Sequence, residues 1–275
     1  MSDDPAAPPP PPRQDNARVS PGQRLGDDLV MGLRFFSRLP TGDRPHQRPD
    51  LARMVLAAPF TTLVIGLLPA LLLLALAALG VPGYFAAALA VAALVLVTGA
   101  MAEDAIADAA DGLFGGTTIE RRLEIMKDSR HGSYGVAALS LYLLLRVTGL
   151  GALAVVPLEA AALWLATMVL GRSGALWLSA ALPPARSGGA SASAGRVGRR
   201  GFAVGAAFAA GVTFVLAAPF VGIIGLVAAL LAALVTALLW ETLCRRLIGG
   251  QTGDLIGALQ ALIEVMALTM FLIFA

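Results

Sequence analysis

The sequence predicts an all-α polytopic integral membrane protein with about seven transmembrane helices and a cytoplasmic-face active site. Three observations carry that expectation. Of 275 residues, 57% are hydrophobic and only 14% charged, at a mean hydropathy of +0.79, whereas a soluble domain carries about 25% charged residues. Apolar stretches long enough to cross about 30 Å of hydrocarbon recur along the chain. The basic residues fall in blocks: eight arginines before Ala57, four basic residues in 102–134, four in 183–201, then Arg245 and Arg246.

The first 28 residues, rich in Pro and polar side chains, form an expected disordered tail. They lack the apolar core of a secretory signal, so no cleavage is expected. Residues 29–275 form a single membrane-embedded catalytic domain. Within 29–39, Leu29, Met31, Leu33 and Phe36 alternate with Arg34 and Arg38, a pattern for an amphipathic interfacial helix. Spans are expected over 54–79, 84–101, 136–156, 160–182, 202–220, 222–243 and 255–274, with Pro219 marking the turn between the fifth and sixth. Seven spans put all four basic blocks on one side, with eighteen of the twenty Lys and Arg. The positive-inside bias makes that side cytoplasmic, as in a bacterial inner membrane. The opposite loops carry Glu159 as their one charge. A lone cysteine, Cys244, excludes an intrachain disulfide and a cysteine zinc cluster. Two histidines, His46 and His131, are too few for a histidine metal site. The small basic surplus is that of cytoplasmic loops and implies no nucleic acid.

The chemistry is expected where the second apolar run ends, in EDAIADAADGLFGG (103–116). Asp104, Asp108 and Asp111 are spaced i, i+4 and i+7, within about 60° of one another on a helix continuing that span. Three carboxylates on one stripe repel unless a cation or proton offsets them. Mg²⁺, a hard cation that keeps sites for water and phosphate, is the natural offset. Glu103 lies off the stripe and reads as solvated or as a neighbour of the metal ligands. Gly112, Gly115 and Gly116 end the helix and leave backbone amides for a ligand. Arg121, Arg122, Lys127 and Arg130 follow at once, as an anionic substrate would require. The competing reading is a solvated loop whose acids pair with these bases. Residues 119–131 read as a short amphipathic helix, after which Asp128 and Arg130 either hold a diphosphate or cap helices.

A second polar island occupies 245–264. Gly249, Gly250 and Gly253 make a turn, and Asp254 opens the last span, either as an N-cap assisted by Thr252 or as a functional group. Glu264, ten residues deeper, needs a partner in the membrane, and Arg146 and Arg172 are the basic residues inside spans. The Gly/Ser-rich stretch 183–201 reads as a mobile linker.

The segments RFFSRLP (34–40), EDAIADAADG (103–112), RRLEIMKDSRHGSYG (121–135) and GGQTGDLIGA (249–258) resemble, in order and spacing, the cobalamin synthase family of adenosylcobinamide-GDP ribazoletransferases. The resemblance runs from about residue 29 to the C-terminus. It implies a Mg²⁺-assisted phosphoryl transfer that joins adenosylcobinamide-GDP to α-ribazole or its 5′-phosphate with release of GMP. It also implies that Asp104, Asp108 and Asp111 are the catalytic, metal-holding residues, and that Arg121, Lys127, Asp128, Arg130, Gln251, Thr252 and Asp254 bind substrate. Membrane lipid is the other expected partner, and a homo-oligomer is left open. The family usually has His two residues before the first aspartate of the stripe and Gly just after it; here these are Ala102 and Ala105.

Three other classes compete. A CDP-alcohol phosphotransferase would carry an Ala-Arg pair shortly after its first Asp-Gly, where Asp111-Gly112 is followed by Leu-Phe-Gly-Gly. A cation transporter would use acids near the bilayer centre in repeated halves, and the sequence shows no internal repeat. A non-catalytic corrinoid-assembly scaffold is the reading that Ala102 would favour.

Overall fold

The computed structural model describes residues 21–42, 49–128, 130–186 and 194–275. Ten helices occupy them: α1 Pro21–Phe36, α2 Leu51–Ala78, α3 Gly83–Thr98, α4 Met101–Gly115, α5 Ile119–Ile125, α6 Ser133–Leu153, α7 Pro157–Ala175, α8 Trp177–Ala181, α9 Arg199–Leu247 and α10 Gly253–Phe274. Local chemistry sets several of their starts. Asp50 caps α2 by accepting the Ala52 N–H at 2.9 Å, Thr118 caps α5, and Pro157 opens α7, where no amide donor is needed.

Among the described residues, five helical segments are long and apolar enough to cross a membrane: Leu51–Ala78, Ser133–Leu153, Pro157–Ala181, Arg199–Leu247 and Gly253–Phe274. A sixth arises if the bent pair α3–α4 is taken as one. The chain is therefore an all-helical polytopic membrane protein. Pro157–Ala181 is the central element, 78% buried over its apolar window, against 28% for α9. Leu67, Leu71, Val215 and Leu239 instead point outward, as lipid-facing side chains do.

Two details of the expected spans are corrected: where the fifth turns into the sixth, and how the acidic stripe leaves the second. The segments expected over 202–220 and 222–243 are two helices that run together as the 49-residue α9, about 74 Å long if straight. It is not straight. Gly222, not Pro219, carries the break, with φ 64°. The Trp177 indole N–H donates to Glu241 at 2.8 Å, and its ring lies 5.3 Å from that of Phe202. Two residues 39 positions apart would stand about 58 Å apart on an unbroken helix, so the two halves of α9 fold back on each other. The second correction concerns the acidic stripe. It does not continue α3, because α4 leaves α3 at 86°. Gly99 (φ 67°) and Ala100 (φ 60°), two left-handed residues in succession, make the corner.

α1 begins at Pro21, inside the expected tail, whose residues 1–20 lie outside the described ones. It lies along α2, where Arg53 meets Asp28 at 2.6 Å. Within the expected linker, residues 187–193 lie outside the described ones, but its start is pinned. The Ala185 N–H donates to the Gln251 carbonyl and the Gln251 N–H to the Pro183 carbonyl, at 2.9 and 2.8 Å.

Candidate active site

A cavity of about 580 Å³ opens where α1, the α3–α4 corner, α6, α7 and α10 meet. Phe35, Leu94, Met101, Met168, Leu176 and Ile256 supply apolar wall, and Arg34, Arg38, Asp104 and Asp254 stand toward its exposed end. The corner at Gly99 is what brings an arginine and a carboxylate together. The Arg38 N–H donates to the Val97 carbonyl at 2.8 Å, and its guanidinium lies over Gly99, where any β-carbon would run into it.

The carboxylate stripe divides. Asp104 is exposed and lines the cavity. Asp108, one turn on, is 16% exposed and has His131 Nδ1 at 3.8 Å. The charges of Asp104 and Asp254 both act on it, so α10 contributes a carboxylate to the group that α4 begins. Asp111 does something else. It is buried, and its two oxygens accept the backbone N–H of Gly132 at 2.6 Å and of Gly135 at 2.8 Å, at the start of α6. That use satisfies amides a helix start leaves unpaired and holds α4 to α6. No three Asp, Glu, His or Cys side chains among the described residues form a ready-made metal cage. The donor set still fits Mg²⁺, which commonly rests on one or two carboxylates and takes its other oxygens from water and substrate phosphate.

Asp254 is not the N-cap of α10. Thr252 is, accepting the Leu255 N–H at 3.2 Å. Asp254 Oδ2 receives Arg186 and the Thr252 hydroxyl, each at 3.3 Å, and Oδ1 has no partner among the described residues. Gln251 is buried, and its backbone bridges to Pro183 and Ala185.

The basic residues expected to meet substrate lie on an exposed stretch, outside the cavity wall. Arg121 pairs with Glu124 at 2.7 Å, and Lys127 is exposed. Arg130 grips Asp128 with two nitrogens, which holds the Asp128 carboxyl down at about 2. Arg122 is a strut, donating to the Leu113 and Leu247 carbonyls at 3.2 and 2.9 Å. Met126 and Arg122 pack where side chains on Gly112 and Gly116 would stand, and the Gly116 N–H is spent on the Gly112 carbonyl at 3.3 Å.

Below the cavity mouth lies a polar cluster inside the bundle. Arg146 reaches Glu103 Oε1 and Glu264 Oε2, each at 3.1 Å. Glu264 also accepts Tyr142 Oη at 3.1 Å and Gln260 Nε2 at 2.9 Å. Arg146, not Arg172, is thus the direct partner of Glu264, and Glu103 is buried rather than solvated. Arg38 at the corner and the share of Glu103 in this cluster escaped the sequence reading, which had left the partner of Glu264 open between Arg146 and Arg172. The one available signal was Arg38 in the RFFSRLP segment, with nothing to say that α4 would turn back toward it.

Fold and site together define the class: a polytopic membrane enzyme with carboxylates and arginines gathered at the mouth of an intramembrane cavity. The chain belongs to the cobalamin-5-phosphate synthase family, whose model matches residues 28–272. It is 43% identical over 257 residues to the adenosylcobinamide-GDP ribazoletransferase of Azorhizobium caulinodans, covering 92% of this chain and 97% of the relative. It is 44% identical over 258 residues to the enzyme of that name from Xanthobacter autotrophicus, with 91% and 97% covered. No solved structure matches it.

Proposed function

We propose that the chain joins adenosylcobinamide-GDP to α-ribazole, or its 5′-phosphate, releasing GMP and giving adenosylcobalamin or its phosphate. The observation that carries this reading is the α3–α4 corner, which sets Asp104 in the cavity wall with Arg38 and Asp254, and Asp108 one turn on within reach of the Asp104 and Asp254 charges. The bundle is read as lying in a bacterial inner membrane with that mouth cytoplasmic, the side that holds eighteen of the twenty basic residues. Seven crossings result if each half of α9 and the α3–α4 pair count as one apiece.

Phosphoryl transfer asks a protein for positioning and charge neutralisation more than for covalent help. Asp104 and Asp108 would hold Mg²⁺, which when bound neutralises the diphosphate and polarises its phosphorus. Arg38 and Arg34 neutralise phosphate oxygens from the cavity wall, while Arg121, Lys127 and Arg130 attract the anionic substrate from outside. Asp111 holds α4 against α6 and so fixes the direction of the stripe. Gln251 and Thr252 set the turn that presents Asp254, and the open Oδ1 of Asp254 takes the proton of the attacking ribosyl hydroxyl. The new P–O bond forms to that hydroxyl oxygen. The anhydride bond to GMP breaks, and GMP leaves with the electron pair. Ala102 brings no imidazole, but His131 stands beside Asp108 on the other flank of the stripe.

The test is turnover by the purified protein in liposomes with adenosylcobinamide-GDP, α-ribazole and Mg²⁺, following GMP and corrinoid product together. Both products are expected, and both should vanish with EDTA and in Asp108→Asn. Folded protein that binds the corrinoid and makes neither would overturn the reading in favour of a scaffold.

A further inference from the structure

The cavity runs from Asp254 at its mouth to Glu264, ten residues along α10 and about 15 Å deeper. A phosphoryl site needs only the mouth. The inner part is a different surface, with apolar walls from Leu94, Met168 and Leu176 and a floor of ionic groups. Most of that floor is already satisfied. Arg146 spans both carboxylates, and Glu264 also receives Tyr142 and Gln260. Glu103 Oε2 and Arg146 Nε are each left without a hydrogen bond there, and Arg172 has the most to spare. It is 6% exposed, lines the cavity, stacks on the Phe36 ring at 5.0 Å, and has one long contact, Nη1 to Thr62 Oγ1 at 3.4 Å. Its Nε is buried without a partner. A buried guanidinium with unspent N–H groups calls for an acceptor.

We infer that the inner cavity is the seat of the acceptor nucleoside, its fused aromatic base between the apolar walls and its ring-nitrogen acceptor on Arg172. This rests on the function proposed above and names which substrate goes where. Three features select that occupant. The volume of about 580 Å³ suits a nucleoside-sized ligand, whereas the corrinoid is several times heavier. The spare group is a donor, matching a benzimidazole-type nitrogen that accepts and has no N–H. Guanine presents its ring N–H and amino group side by side and needs paired acceptors, whereas each carboxylate already spends an oxygen on Arg146 and Glu103 Oε2 alone is left without a partner. With its base below, the nucleoside directs its ribose at the mouth, where Asp254 and the phosphorus meet it. The buried base also keeps water out of the position of attack, so the phosphoryl group passes to the nucleoside and not to hydroxide.

The experiment measures binding apart from chemistry, in nanodiscs without Mg²⁺ or corrinoid. α-Ribazole should bind the native protein, and Arg172→Met should weaken it by about tenfold or more while leaving adenosylcobinamide-GDP binding unchanged. Independently, Ala102→Cys places a thiol in the cavity wall, the one native thiol, Cys244, being buried. Its alkylation should be blocked by α-ribazole and not by GMP, which decides the matter if Arg172→Met does not fold. Protection by GMP alone, no protection by α-ribazole, or an Arg172→Met defect confined to the corrinoid would overturn the assignment. Turnover without α-ribazole protection would sink this subsite alone. Protection without turnover would sink the transferase reading and leave the subsite standing.

Discussion

Two groups of charged side chains meet at one cavity, and they are built on opposite plans. In the buried cluster, Arg146 is placed between Glu103 and Glu264, and nearly every charge has an opposite at hydrogen-bonding distance. At the mouth, Asp104, Asp108 and Asp254 act on one another; Arg34 and Arg38 share the cavity wall, but among the described residues only His131 and Arg186 come within ion-pair distance of these carboxylates. Charges in a low-dielectric interior persist only when paired, so the inner cluster is architecture. Carboxylates left facing one another are a standing demand for a cation, so the mouth is chemistry. In this protein the site is marked by the charge the fold leaves uncompensated.

Replacing a carboxylate at the mouth is the strongest way to break that contrast. Asp108→Asn should cut turnover by about 10³-fold or more, roughly 4 kcal/mol in the barrier, without lowering the melting temperature, because it relieves repulsion. A variant that melts earlier and stays active would reverse the two assignments. Arg146→Met makes the opposite trade. It leaves Glu103 and Glu264 buried without their cation, a loss of about 3–5 kcal/mol in stability, read by thermal unfolding in detergent. Replacing both glutamates by Gln in the same background should recover much of it. Gly99→Ala tests the corner itself; a side chain in the left-handed region costs about 1–2 kcal/mol, and displacing Arg38 should lower kcat/KM as well. The mildest change is Glu124→Gln, which removes an exposed pair with Arg121. Such pairs contribute little, so neither melting nor kcat should move measurably.

The membrane class and the acidic island were legible because both are local in sequence: apolar run length, basic blocks and the four-residue spacing of Asp104 and Asp108. Partnerships across the chain were not. Asp111 looks the same as its neighbours on a helical wheel, and only the arrival of Gly132 and Gly135, more than twenty residues later, makes it a cap. Asp254 joins the site because α10 packs against α4, which no spacing within 245–264 reveals. Between Arg146 and Arg172, both inside apolar runs, nothing local selects the partner of Glu264. The α3–α4 corner was hidden for another reason: its second left-handed residue is Ala100, and alanine gives no warning of positive φ. The turn at Gly222 was expected three residues too early because proline is the stronger signal in sequence, while the reversal needs the conformation that glycine allows.

Where α4 crosses α10, the methyl of Ala105 occupies the space a side chain on Gly257 would need. The two helices therefore share room for a single methyl group, and this chain places it on α4. Moving it across, as Ala105→Gly with Gly257→Ala, conserves the volume while either change alone leaves a gap or a clash. The distance between the Asp104 and Asp254 carboxylates is thus set by an allowance held jointly, and a drift at one position is tolerable only when the other drifts with it.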